Sequence, residues 1–162
     1  MSARPAPHPA VSLIVCIAIV ALAAAVAGLG SRTAPALYAQ LALPSWAPPA
    51  SWFGPVWTLL YALMACAAWL VWRDPAGTRG ALALFALQLA ANVLWSWLFF
   101  AWRTGAGALA DVLVLDALLV ATLLVFWRVR KLAGALLLPY LAWTLFATAL
   151  NFAAWRMNPG VL

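Results

Sequence analysis

The side chains in this chain that could act on another molecule are aromatic rings and carboxamides set at helical spacing. Trp57, Tyr61, Met64 and Ala68 form one such set, and Gln88, Asn92, Trp95, Ser96 and Phe99 a second. Tyr140, Thr144, Ala147, Thr148, Asn151 and Trp155 form a third, with Trp143 beside it. Steps of three and four place each set on one face of a helix. Rings of this kind stack flat guests, worth about 0.5–1.5 kcal/mol per face. The carboxamides either orient a guest or bond between helices, at about 0.6–2 kcal/mol per contact. Both uses turn the face inward, because an unsatisfied amide in hydrocarbon is costly, and the spacing does not separate them.

Covalent chemistry has little to work with. The lone histidine, His8, lies near the N-terminus, and no metal-ligand spacing, Gly-rich phosphate loop or nucleophile–base arrangement occurs. Asp111 and Asp116 are the acids inside an apolar run. Five residues put them about 140° apart on a helix, so they do not form a catalytic pair on one face. Asp111, near the start of its run, reads as a solvated or helix-terminal charge. Asp116 is deeper and needs a donor, namely an indole N–H, a threonine hydroxyl or an arginine, or else a proton of its own.

The elements that must hold these faces are membrane helices. Of 162 residues, 69% are hydrophobic and only 7% charged, too little polar surface to cover a water-soluble domain. A span needs about 20 apolar residues, and five runs of that length occur: Val11–Gly30, Trp52–Trp72, Ala81–Trp102, Gly107–Trp127 and Ala133–Trp155. They are apolar on every face, whereas a barrel would alternate. The expected fold is therefore all-α, a five-transmembrane-helix bundle in a single domain over residues 1–162. Residues 1–10 are expected to be a flexible tail. Residues 31–51, rich in proline and tryptophan, are expected to be a shaped lid.

Four runs end in the same dipeptide, Trp72-Arg73, Trp102-Arg103, Trp127-Arg128 and Trp155-Arg156. An indole at headgroup depth followed by a snorkelling guanidinium marks a helix leaving hydrocarbon. The net charge of +6 thus belongs to membrane boundaries, and nucleic acid is not an expected partner. Arg4, Arg73, Arg79, Arg128, Arg130 and Lys131 fall on the N-terminal side, against Arg32, Arg103 and Arg156 opposite. That asymmetry predicts a cytoplasmic N-terminus, and a bacterial membrane is the expected setting. Arg4 and the Ala23–Ala27 segment imitate a cleavable leader, but the first run is long enough to span and others follow it. Ala21, Ala24, Ala25 and Gly28 would let a neighbouring helix come close. Cys16 and Cys66 read as small buried hydrophobes.

Several motifs resemble those of the TspO/MBR family, the tryptophan-rich sensory proteins of bacteria and the mitochondrial translocator protein (peripheral-type benzodiazepine receptor). Leu43-Pro44-Ser45-Trp46-x-Pro48-Pro49 followed by Gly54-Pro55-Val56-Trp57-x-x-x-Tyr61 is similar to the family's first-loop signature. Gln88-Leu89-x-x-Asn92 with Trp95 and Phe99-Phe100 is similar to its third-span motif, and Ala108-Leu109-x-Asp111 to its fourth. Pro139-Tyr140-Leu141-x-Trp143 with Phe146-Ala147-Thr148-x-Leu150-Asn151 is similar to its fifth. The resemblance implies a homodimer of five-helix bundles that binds porphyrins such as protoporphyrin IX, haem and related hydrophobic ligands, with no required cofactor. It implies pocket residues at Trp57, Tyr61, Asn92, Trp143, Ala147 and Asn151, with Trp46 in the lid. An alternative activity it carries is light-dependent porphyrin degradation through Trp57 and Trp143.

Two departures stand out. Ser51 occupies the place of a family tryptophan, with Trp52 just after it, and Phe152 stands where a sterol-recognition pattern needs tyrosine. A porphyrin already dissolves in lipid, so entering the bundle gains little hydrophobic transfer energy. Stacking and a few polar contacts then predict affinity on the order of micromolar, about 8 kcal/mol. A proton-coupled carrier built on Asp116 is the third reading.

Overall fold

The computed structural model describes residues 8–74 and 79–162. Arg4, most of the expected tail and the middle of the connection after Asp74 lie outside them. Helix α1 runs Pro9–Gly30, α2 Ala34–Gln40, α3 Phe53–Trp72 and α4 Arg79–Ser96. Then come α5 Gly105–Val129, α6 Lys131–Ala135 and α7 Leu138–Met157. A 3-10 turn over Ala50–Trp52 leads into α3, and a π turn over Trp97–Ala101 prolongs α4. Five stretches are long and apolar enough to span: Pro9–Gly30, Ala50–Trp72, Arg79–Ala101, Gly105–Val129 and Lys131–Met157. The fold is the expected all-α, five-span arrangement, with ends within a few residues of those read from hydropathy.

Proline sets several starts. Pro9, Pro35 and Pro139 sit in the first turns of α1, α2 and α7, where a missing N–H costs nothing and φ is already helical. The helix α1 therefore begins inside the segment expected to be a tail. Around the bundle, α1 packs on α3 and α4, α4 on α5, and α5 on α7. The short α6 packs on α5 and α3 and so closes the ring.

The two ends of the ring pack differently. Toward the C-terminus of α3, Met64, Ala67, Ala68 and Val71 join Phe85, Phe126 and Tyr140 in a solid core. Small side chains on α3 allow that close approach. At the other end Leu37 and Leu41 of the connecting segment cap Trp95, Phe99, Val112 and Ala154. Three tryptophans there and at the membrane boundaries need a glycine opposite them. A Cβ on Gly105 would lie 2.5 Å from Trp155, one on Gly134 2.8 Å from Trp127, and one on Gly30 2.9 Å from Trp97. Trp97 also donates its indole N–H to the Val26 carbonyl at 3.1 Å.

Trp102 and Trp127 are exposed at span ends, as their role at the boundary requires, while Trp155 turns in over Gly105. Cys16 is buried, but Cys66 is exposed on the outer face of α3, contrary to the expectation for it. Lipid is as apolar as the core, so nothing drives a thiol of this size inward. Opposite the lid, Arg130 Nε and Asp74 Oδ2 stand 3.7 Å apart and link two connections.

Candidate ligand-binding site

Beneath the 31–51 segment lies a cavity of about 320 Å³. Its walls come from α1 (Ala24, Ala27, Gly28), α3 (Phe53, Gly54, Trp57, Tyr61) and the end of α4 (Trp95, Ser96, Phe100). Ser31, Ala34, Pro35, Tyr38 and Ala50 roof it. No charged side chain is among these wall residues.

Each part has a local cause. The π turn widens the end of α4, a feature often found at functional sites, and Phe100 within it joins the wall. The roof is α2, whose Ala34, Pro35 and Tyr38 face the cavity while Leu37 is buried in the core beside it. Tyr38 donates to the Pro48 carbonyl at 2.8 Å, folding the segment on itself. Its ring meets Phe53 edge-on at 5.4 Å. Burial raises the Tyr38 hydroxyl above its ordinary value of 10.0.

The sequence-derived residues fall into distinct groups. Trp57 and Tyr61 line the cavity, their rings 5.5 Å apart. Asn92 stands behind Tyr61, accepting its hydroxyl at Oδ1 (2.7 Å) while Nδ2 is buried without a partner. Trp143 is one ring behind the wall, 5.9 Å from Phe53, and its indole nitrogen is buried without a partner. Ala147 and Asn151 line a second, much smaller hollow of about 20 Å³. Asn151 is fully engaged there, accepting from Trp95 Nε1 at 3.0 Å and donating to the Gly105 carbonyl at 3.1 Å. Trp46 is 49% exposed on the outside of the lid, with Phe146 5.7 Å away.

The two hollows share a partition made of Tyr38, Phe53, Trp95 and Phe100. Of these four rings, Trp95 is tied to Asn151 and Tyr38 to the Pro48 carbonyl, while Phe53 and Phe100 have no polar tether. Asp116 meets the Thr148 hydroxyl at 2.7 Å, one of the donors expected for it. Asp111 is only partly buried, with Oδ2 lacking a partner. Among the described residues no group of histidine, cysteine or acidic side chains could hold a metal ion.

Sequence reasoning missed four contributors. The α1 wall was visible only as small residues, which also signal helix packing, and Ala21 and Ala25 of that stripe in fact face outward. Phe53 and Tyr38 had no periodic partner to single them out. Asn158, just past α7, receives the Ala42 N–H at 2.8 Å and donates Nδ2 to the Ala42 carbonyl at 2.8 Å and the Ala154 carbonyl at 2.7 Å. An asparagine after a helix reads as an ordinary cap, and nothing in the sequence ties it to the lid.

Known proteins share this pattern along most of its length. The model of the TspO/MBR family matches residues 12–156. The chain is 43% identical over 127 residues to the translocator protein of Homo sapiens, covering 76% of this chain and 75% of that one. It is 40% identical over 154 residues to the tryptophan-rich protein TspO of Chlorobaculum tepidum, covering 91% and 96%. It is 44% identical over 121 residues to the tryptophan-rich sensory protein of Cereibacter sphaeroides, covering 75% and 76%. The chain belongs to the TspO/MBR family.

Proposed function

We propose that this protein is a membrane receptor, sensor or carrier for porphyrins, such as protoporphyrin IX and haem, and for related hydrophobic molecules. The observation that carries the reading is the uncharged aromatic cavity under the lid, with Trp57, Tyr61, Phe53, Trp95 and Phe100 on its walls. Its volume lies at the low end of ligand pockets, about 300–1,000 Å³. A tetrapyrrole therefore enters by displacing the shared partition, which joins the two hollows and brings Ala147 to the ligand. Asn92, behind the wall, holds the Tyr61 hydroxyl and so sets how that ring meets the ligand. With no cation in the walls, the propionates of such a ligand stay at the mouth, near the headgroups. The working unit on this reading is a homodimer, the family's usual form.

Titration of the purified protein with protoporphyrin IX, followed by tryptophan quenching, tests the reading. Saturable quenching with a Kd on the order of micromolar is expected. Trp57→Phe should weaken it several-fold and Trp46→Phe hardly at all. Quenching that never saturates, or that is indifferent to Trp57→Phe, removes the cavity as the porphyrin site. Light-dependent degradation would need both Trp57 and Trp143 to reach the ligand; Trp57 lines the cavity, whereas Trp143 stands behind Phe53.

A further inference from the structure

The roof of the cavity is fastened from one side by a single side chain. Apart from backbone bonds to the flanking Ser31 and Trp52, residues 33–49 hydrogen-bond to the rest of the molecule at two places among the described residues. Thr33 donates to the Phe100 carbonyl at 3.2 Å, exposed, at the start of α2. Asn158 pairs with both backbone groups of Ala42, just beyond the end of α2. The rest of the segment's polar contacts are internal, as with Tyr38 and Pro48. Asn158 is itself only 8% exposed, and its third bond to Ala154 anchors it to the last turn of α7.

We propose that Asn158 is a latch, a positioning residue that holds α2 shut over the cavity and sets how fast ligands exchange. The chemistry of the side chain suits the task. A carboxamide offers an acceptor and two donors on one plane, which match one N–H and two carbonyls. The pair with Ala42 imitates the two-bond exchange of antiparallel strands, so it aligns the chain as well as attracting it. Undoing it frees α2 to swing about its Thr33 end, and α2 carries Ala34, Pro35 and Tyr38 off the cavity. Leu41 and Leu37 lose their buried seat only when the roof lifts, which makes the closed form the resting one.

The inference rests on the cavity being the ligand site, so its test has one arm without ligand. Asn158→Asp keeps the shape but sets a second acceptor against the carbonyls of Ala42 and Ala154; Asn158→Ala removes all three bonds and adds no charge. In the ligand-free full-length protein, both variants should speed hydrogen exchange of residues 34–42, by about tenfold if the net loss equals one typical hydrogen bond, and leave α4 and α5 unchanged. In stopped-flow measurements with protoporphyrin IX, association and dissociation should accelerate together, with Kd moving by less than about threefold. Unchanged exchange at residues 34–42 overturns the latch, as does a uniform rise across the bundle, which marks a merely structural role. A Kd that shifts while both rates hold also overturns it. Faster exchange at residues 34–42, in a protein whose wild type shows no saturable quenching, upholds the latch and removes the porphyrin reading.

Discussion

Carboxamides at helical spacing could serve helix pairing or ligand contact, and single side chains decide the matter differently at different places. Asn151 spends both ends of its amide on Trp95 and Gly105, joining three spans. Asn151→Ala leaves the Trp95 indole N–H without a partner and removes the tie to the Gly105 carbonyl, which keeps its own bond within α5. A stability loss of about 1–3 kcal/mol is expected, seen as a lower Tm in detergent, and because Asn151 holds Trp95 in the partition between the hollows, porphyrin affinity should change as well in the protein that remains folded. Glycines give a sharper contrast. A Cβ on Gly105 would sit 2.5 Å from Trp155, so Gly105→Ala forces the ring or α5 to move and should cost about 1–3 kcal/mol. Gly28 faces the cavity with nothing within 4 Å of its Cβ position. Gly28→Phe should therefore fold with an unchanged Tm while abolishing saturable quenching by protoporphyrin IX. Binding that survives Gly28→Phe would place the ligand elsewhere.

Helices differ in how plainly their sequences declare them. The spans were legible because hydropathy over about 20 residues has few other causes, and their inward faces because Trp57, Asn92 and Tyr140 keep the 3.6-residue period. The roof helix was hidden, since Pro35 and the prolines after Gln40 read as loop although Pro35 sits where a helix tolerates it. The π turn at Trp97–Ala101 depends on how the chain meets Thr104, whose amide and hydroxyl both bond the Leu98 carbonyl, and no local composition reports that. Of the expected ligand-binding residues, Trp57 and Tyr61 line the cavity, for the same reasons: aromatic walls carry a period, whereas alanine and glycine walls look like packing. The roof also has a pH response. The Tyr38 hydroxyl is raised by burial above 10.0, so the ionised form is disfavoured in the closed roof. Stability from its neutral form is complete below the unfolded value of about 10 and is lost as pH rises through the higher folded value. Protoporphyrin release should be flat from about pH 7 to 9 and quicken above about 10. Tyr38→Phe should remove the alkaline step and release ligand faster at every pH, because its bond to Pro48 is gone. An alkaline step that persists in Tyr38→Phe assigns it to another group.

For the molecule as a whole, the remaining question is which way the roof faces. The five spans put the 31–51 segment, the π turn and the C-terminal turn at one end, and the Asp74–Arg130 pair with α6 at the other. Among the described residues, Arg73, Arg79, Arg128, Arg130 and Lys131 belong to the α6 end, against Arg32, Arg103 and Arg156 at the roof. Basic residues are retained on the cytoplasmic side during insertion, so the imbalance predicts a roof that faces away from the cytoplasm. On that prediction, ligands are admitted from the side of the membrane opposite the cytoplasm. Cysteine labelling decides the point in a background carrying Cys16→Ala and Cys66→Ala. The first of these thiols is buried and the second faces outward from α3, so the replacements leave the bundle's polar contacts intact. A membrane-impermeant maleimide added to intact cells should modify Ala47→Cys in the lid and spare Leu132→Cys, whose native leucine is 61% exposed at the opposite end. After the cells are opened, both should react. Labelling of Leu132→Cys alone in intact cells would invert the orientation, and the cavity would then draw its ligands from the cytoplasm, where the same latch and roof would control them.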